Sequence, residues 1–363
     1  MVQSLYVHIP FCQHICAYCD FFRCGYNEGL ADRFLSALQI DLSNQVKEKQ
    51  LKTIYIGGGT PSALNINQLE TLLLMLKPFA CEVKEYTMEA NVESLNEEKL
   101  MLMKQYGINR ISLGVQSLQE SLVKIIERKH TLTQIIDCIA TAHKVGIHNI
   151  SIDLIYGLPT QTMKQWVDDL NQVINHLNIT HISLYALSIE ENSAFGRSGV
   201  KNIDEDSEAD MYEMAINKLV NHGFHQYEIS SFALENSESQ HNKAYWHYDD
   251  FYGVGCGASG KLNHQRYDMT RNIMDYINQK NIKKDIILSE KDEMFEYIMM
   301  SLRLQEGLSY LHFKELFHHD FKQLYKDIID ELIEKKLCYE SNLHLKTTKH
   351  GMLFLNDVIE TFM

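Results

Sequence analysis

Three cysteines fall close together near the start of the chain: Cys12, Cys16 and Cys19, spaced C-x3-C-x2-C inside YVHIPFCQHICAYCDFF. The thiolate is the metal-binding form of cysteine, and three at this spacing can converge on one centre. A structural zinc ion takes four tetrahedral ligands, and here the fourth would have to be His8, His14 or Cys24, none at a familiar spacing. An iron–sulfur cluster held by three thiolates leaves one iron open, which is what a reactive centre needs. Spacing alone keeps cluster, zinc and chance all open. The other cysteines (Cys24, Cys81, Cys138, Cys256 and Cys338) are scattered and read as small buried hydrophobes.

Other candidates lie at the ends of apolar runs. Gly57, Gly58 and Gly59, followed by Thr60, let a ligand approach the backbone and leave N–H groups free to bind it. No Lys-Ser/Thr follows, so this is not a P-loop, and a plain tight turn is the competing reading. Asp153 sits within ISIDLIYG, where an acid is costly to bury without a partner, either structural or ligand. Glu89 and Gln116 also end β-rich runs, and Arg128 lies near the end of the helix after Gln116. His241, in HNKAYW, reads as a residue of a polar loop, and a lone histidine is usually a satisfied polar group. Imidazole is nevertheless a common axial ligand of haem iron, and Tyr245 and Trp246 offer flat apolar faces to a porphyrin. His247 and Tyr248 are weaker candidates.

These residues need a scaffold, and the pattern supplies one. Short β-rich runs (Leu5–Ile9, Thr53–Ile56, Glu85–Glu89, Arg110–Gly114, Ser151–Ile155, Ile182–Ala186) alternate with amphipathic stretches (Ala31–Val46, Asn67–Leu76, Asn96–Tyr106, Leu132–Val145, Met163–Leu177). Repeated strand-then-helix units mean parallel strands with right-handed crossovers. The expected fold is α/β, a partial or closed (β/α) barrel, with a doubly wound sheet as the alternative. Ser207–His222 reads as a helix, Gln226–Ser230 as a strand and Gly253–Gly260 as a glycine-rich turn. From about Leu288 the pattern changes: Glu293–Leu304, Tyr310–Phe317 and Phe321–Lys335 read as helices, followed by Cys338–Lys346 and Gly351–Ile359. The expected division is a core of residues 1–285 and a smaller, mainly helical C-terminal domain, 286–363, that resembles a winged-helix unit. A helical cap with no separate role is the competing reading.

Composition narrows the function classes. The chain has 363 residues, 45% of them hydrophobic and 23% charged, enough for a stable core without staples. Asp plus Glu (48) against Lys plus Arg (34) gives a net charge of −14, which argues against tracking nucleic acid. No apolar window is long enough to span a bilayer and the N-terminus lacks a signal-peptide pattern, so a cytoplasmic location is expected. There, clustered cysteines read as metal-binding rather than disulfide-bonded.

C-x3-C-x2-C after a first strand, with Tyr18 before the third cysteine, resembles the radical S-adenosylmethionine (SAM) superfamily. In that superfamily three cysteines hold a [4Fe-4S] cluster and SAM chelates the fourth iron. YVHIPFC, GGGTPS, RISLGVQS, DLIYGLP and HNKAYW then follow in the order seen in the oxygen-independent coproporphyrinogen III oxidase-like (HemN-like) family. Within that family HNxxYW resembles the HemW-type haem-chaperone branch. Position by position, the resemblance implies SAM contacts at Tyr6, Gly58, Gly59, Thr60, Glu89, Gln116, Arg128, Asp153 and Ala186, and a haem ligand at His241. Arg128 suits the SAM carboxylate as a bidentate fork, Asp153 and Gln116 the ribose hydroxyls, and Glu89 the ammonium. The decarboxylases of the family carry a fourth cysteine where Phe21 stands here, and an N-terminal extension before the motif. The resemblance therefore implies a haem chaperone that hands haem to acceptors such as respiratory cytochromes. Oxidative decarboxylation of coproporphyrinogen III is the alternative, and a plain electron-transfer cluster protein is a third. Peripheral membrane contact and a homodimer are both compatible with this reading.

Overall fold

The alternating runs become a barrel wall. In a computed structural model, which describes residues 2–363, six parallel strands follow in sequence: β1 (Ser4–Ile9), β2 (Thr53–Gly58), β3 (Glu85–Asn91), β4 (Arg110–Gln116), β5 (Asn149–Tyr156) and β6 (His181–Ala186). Each neighbour in space is the next strand in sequence. A doubly wound sheet reverses its strand order at a switch point, and this one does not, so the barrel expectation holds over its alternative. Local chemistry sets the connecting helices. Asn65, Thr131 and Thr162 each form a capping box with the glutamine three residues on, satisfying two otherwise orphaned donors at each helix start.

After β6 the chain adds β7 (His225–Gln226) and β8 (Ser231–Ala233), antiparallel at one edge. It then returns to the other side of β1 with β9 (Phe251–Val254), parallel to it. From there β10 (Ser259–Leu262), β11 (Gln265–Met269) and β12 (Lys283–Ile287) extend the sheet as an antiparallel meander. The result is a twelve-stranded sheet with two free edges, a partial barrel.

Three expectations fail here. Gly253–Gly260 is not simply a turn: its ends belong to β9 and β10, where a Cβ on Gly253 would lie 1.8 Å from the Ser259 carbonyl oxygen. That glycine marks a close backbone approach. HNKAYW is not a loop but lies in a helix, Gln240–Trp246. The buried Glu85 carboxylate caps it by accepting from the backbone N–H of Gln240 (2.8 Å) and of His241 (2.9 Å). The stretch Phe321–Lys335 is two helices, Phe321–Leu324 and Lys326–Glu334, broken at Tyr325.

Two apolar cores form. The larger joins the strands of the barrel wall to their helices, from Val2 to Tyr276. The smaller gathers Met294, Tyr297, Phe313, Phe321, Leu345 and Phe362 around the C-terminal helices and a three-stranded sheet, and it also takes in Tyr248. Among the described residues, no helix is long and apolar enough to cross a membrane.

Candidate functional site

The polar residues converge where barrel chemistry gathers, at the carboxyl ends of the parallel strands. A cavity of about 370 Å³ there is lined by Cys12, Cys16, Tyr18 and Cys19, and across from them by Gly58, Gly59, Thr60, Glu89, Gln116, Arg128, Asp153 and Ala186. Two predicted residues, Tyr6 and His241, do not line it.

The cysteine loop is pinned at both ends. Phe11–Cys12 pairs with Cys24–Gly25 as a two-residue parallel ladder, which gives Cys24 a backbone role as a staple. His8 adds a clamp, with Nε2 donating to the Phe22 carbonyl at 3.0 Å while Nδ1 accepts from the Tyr6 hydroxyl at 2.9 Å. Tyr6 thus acts through His8. The glycine turn is laced to the same loop: Gly59 N donates to Ile9 O (2.9 Å) and Thr60 N to Phe11 O (2.8 Å). A Cβ on Gly59 would meet Cys12 Sγ and the Pro10 backbone at 2.9 Å, so only glycine leaves the thiol its place. Among the described residues, no three His, Cys, Asp or Glu side chains are gathered around a single metal ion. The three thiols instead share one wall of the cavity, with an open mouth flanked by the exposed Phe21 and Ile15.

Opposite the thiols stand two carboxylates. Glu89 accepts from the Tyr55 hydroxyl at 2.8 Å and from Gly58 N at 3.1 Å. Burial pushes its carboxyl up to about 7, a rise the Tyr55 bond limits and the Asp153 charge increases. Asp153, flanked by the Ser112 hydroxyl, is pushed up to about 6 by burial, with Arg110 opposing the rise. Two deep acids facing one cavity make it a receptor for a cation.

Gln116 shows what else the site lacks. It takes a left-handed φ of 63° at a bulge in β4, a strained conformation for a non-glycine residue, and its buried Oε1 has no partner. Arg128 departs from expectation. Its two Nη groups are already spent, on Asn91 Oδ1 (2.8 Å) and Gly114 O (2.6 Å), with Glu93 at 3.7 Å, and only Nε is unpartnered. It braces the cavity, with Nη1 3.9 Å from Cys16 Sγ, and in this structure offers a carboxylate no bidentate fork.

His241 is placed apart from this cavity. Its side chain is fully buried, Nδ1 lies 2.8 Å from Thr53 Oγ1, Nε2 lies 2.7 Å from the Tyr245 hydroxyl, and the ring stacks on Tyr55 at 5.2 Å. Burial drives it down to about 3, so it is a neutral core histidine with both nitrogens engaged. Sequence reasoning passed over Asn91, Ser112 and Tyr185, which also line the cavity. Asn91 lies two residues beyond Glu89 on β3, and Tyr185 stands just before Ala186. Period-2 alternation from Glu89 and Gln116 could have found Asn91 and Ser112, whereas Tyr185 joins the face of Asp153 through its pairing with Ile155 on the neighbouring strand.

A partial parallel barrel with three loop thiols facing a glycine turn and two carboxylates defines a radical SAM protein. The model of the "Radical SAM superfamily" matches residues 6–173, and that of the "HemN C-terminal domain" matches 288–354. The solved coproporphyrinogen III oxidase (HemN) of Escherichia coli, described as a radical SAM enzyme, superposes with a TM-score of 0.86 over 99% of this chain and 90% of its own, at 21% identity. In sequence the chain is 38% identical to heme chaperone HemW of Lactococcus lactis, covering 99% of this chain and 97% of that one. It is 34% identical to heme chaperone HemW of Bacillus subtilis (100% and 99%) and 34% to that of E. coli (99% and 98%). The chain belongs to the HemW-type family of HemN-like radical SAM proteins.

Proposed function

We propose that this protein is a haem chaperone: it holds a [4Fe-4S] cluster and SAM at the strand ends, binds haem as cargo and passes it to acceptor proteins. The observation that carries the reading is the end-to-end similarity to proteins named heme chaperones. Phe21, standing where the decarboxylases of the wider family have a fourth cysteine, favours it over decarboxylation of coproporphyrinogen III.

The chain's own residues fit the two resident groups. Cys12, Cys16 and Cys19 would hold the cluster, with Gly59 leaving room for the first thiol and Tyr18 packed beside the second and third. Gln116, whose Oε1 is orphaned, and Asp153 would take hydroxyl groups of SAM. Glu89 would take its ammonium, and Gly58 and Thr60 would line the approach. Ala186 keeps the wall at the end of β6 small. When bound, cluster and SAM supply one-electron reducing chemistry; the residues here bind, orient and exclude water. The acceptors fit respiratory cytochromes, the setting is the cytoplasm, and nucleic acid is no partner of so acidic a chain.

Anaerobic reconstitution tests the reading. The wild type should take up iron and sulfide, bind SAM and bind haem, and should not convert coproporphyrinogen III to protoporphyrinogen IX under reducing conditions with SAM. Stoichiometric conversion would overturn the chaperone in favour of the oxidase.

A further inference from the structure

Beneath the two acids of the cavity the barrel buries an arginine. Arg110 opens β4 on the same inward face as Ser112 and Gly114, which line the cavity, but it does not line the cavity itself. It is 1% exposed, and its register partner on β3 is Thr87. Glu89 pairs with Ser112, one step further along β4, and Asp153 pairs with Gly114, one step beyond that. Arg110 thus stands in the layer below Glu89 and two layers below Asp153. We propose that it is a positioning residue for SAM, an internal counter-charge that readies Glu89 and Asp153 for a cationic ligand without touching ligand or cluster. This deepens the reading of the cavity as a SAM site and rests on it.

Three observations carry the assignment. First, the charge is not spent on a direct partner. Among the described residues Arg110 forms no ion pair, and its Nε and the neighbouring Thr87 hydroxyl are buried without a hydrogen-bond partner. Glu85, one layer further down β3, spends its carboxylate on the helix Gln240–Trp246. A cation buried without a direct partner is costly, and the acids above it are the charges left to offset it.

Second, its field reaches both acids. Burial raises Glu89 and Asp153, and Arg110 opposes the rise at each. An opposite charge favours the ionised form of an acid, and in an interior poor in water it does so without contact.

Third, the other groups facing the acids cannot replace it. Tyr6, Tyr55, Tyr185 and Tyr245 are all raised by burial and stay uncharged hydroxyls. His8, His181 and His241 are all lowered by burial and are neutral at pH 7. Arg128 also lowers Asp153, but it stands at the cavity wall with Glu93 beside it. A guanidinium keeps its charge across the biological pH range, so Arg110 supplies a fixed field from below.

Equilibrium dialysis of SAM against the cluster-loaded protein, from pH 5.5 to 9, tests the assignment. Wild-type affinity should rise between about pH 6 and pH 7, as Asp153 and Glu89 lose their protons. Arg110→Met should move that rise up by about one pH unit. SAM then binds roughly five- to tenfold more weakly at pH 7 and close to wild type at pH 9. Arg110→Lys, which keeps the charge, should hold the rise closer to its wild-type position, and both variants should keep the cluster absorbance. The amino group of SAM, His14 and Asp20 at the mouth, and the cluster thiols are common to every arm, so the difference between variants reports Arg110. An unshifted profile in Arg110→Met, or a loss equal at every pH, overturns the proposal, the latter being the mark of packing alone. A wild type that binds no SAM overturns the SAM reading and the proposal with it. Arg110→Gln takes the place of Arg110→Met if the latter does not fold. If neither neutral variant folds, the charge serves the fold and the positioning role falls.

Discussion

Glu89→Gln should stabilise the protein while damaging its binding site. A carboxyl raised from an ordinary 4.5 to about 7 costs its ionised form about 3 kcal/mol, at 1.36 kcal/mol per pH unit. Between pH 4.5 and 7 the folded wild type keeps a proton that the unfolded chain has released. Stability therefore falls as pH rises through that window and stays at the lower level above it. Glutamine has no such dependence, and it carries no charge for the Asp153 carboxylate to oppose. Unfolding entropy of ~2.1 cal/mol/K per residue turns the full 3 kcal/mol into roughly 4 °C for a chain of this length. The Gly58 N–H loses a charged acceptor in the exchange, so the expected gain is about 2–4 °C. Scanning calorimetry of cluster-loaded, SAM-free protein should show the advantage at pH 8 and its shrinkage toward pH 5. In the same variant SAM should bind roughly 10- to 150-fold more weakly, because a neutral amide replaces a charged partner of the ammonium. An advantage independent of pH, or a loss of stability at pH 8, would refute the claim that Glu89 is held ionised against its burial.

Serine at Cys12, Cys16 or Cys19 should abolish the iron–sulfur absorption, whereas Cys24→Ser should keep it, because Cys24 contributes its backbone to the loop; visible spectra and iron content read both. Gly59→Ala should assemble little cluster after anaerobic reconstitution although far-UV circular dichroism stays that of the wild type, since the added methyl occupies the space of the Cys12 thiol. Asp153→Ala should retain the cluster and weaken SAM by roughly tenfold or more, measured by equilibrium dialysis. His241→Ala should cost about 3 kcal/mol in denaturant unfolding, as expected of a large buried side chain with two hydrogen bonds and a stacked ring.

The parallel strands were legible because their runs are short, apolar and evenly spaced; β1 through β6 lie within about two residues of their expected bounds. Twelve of the expected site residues meet in one cavity because a barrel gathers strand ends, and motif order preserves strand order. What escaped was governed by distant contacts. The helix at HNKAYW starts on a carboxylate from Glu85, more than 150 positions away in sequence. Local propensity carries no trace of that partner, so a polar stretch after SSFALENSESQ looks like loop. The strand β9 escaped because Gly253 and Gly255 signal turns, whereas here glycine serves a close approach between backbones. The spent guanidinium of Arg128 was equally hidden, since Gly114 O and Asn91 reach it from neighbouring strand ends. One signal was available and unused. Strands of a parallel barrel buried on both faces should be apolar throughout. EYTMEAN, RISLG and NISID alternate instead, which already says that this barrel's interior is polar.

The ladder that ties Phe11–Cys12 to Cys24–Gly25 bears on how the protein matures. A zinc finger is unfolded until its metal arrives, so loading and folding are one event. Here both anchors of the metal loop hang on an apolar core that contains none of the three thiols, and only the short span between the anchors waits for iron. The chain can finish folding, persist as a competent pool and receive its cluster afterwards through a mouth edged by Ile15 and Phe21. Iron starvation would then empty the protein without sending it to proteases, and function could return with the metal supply, ahead of any new synthesis.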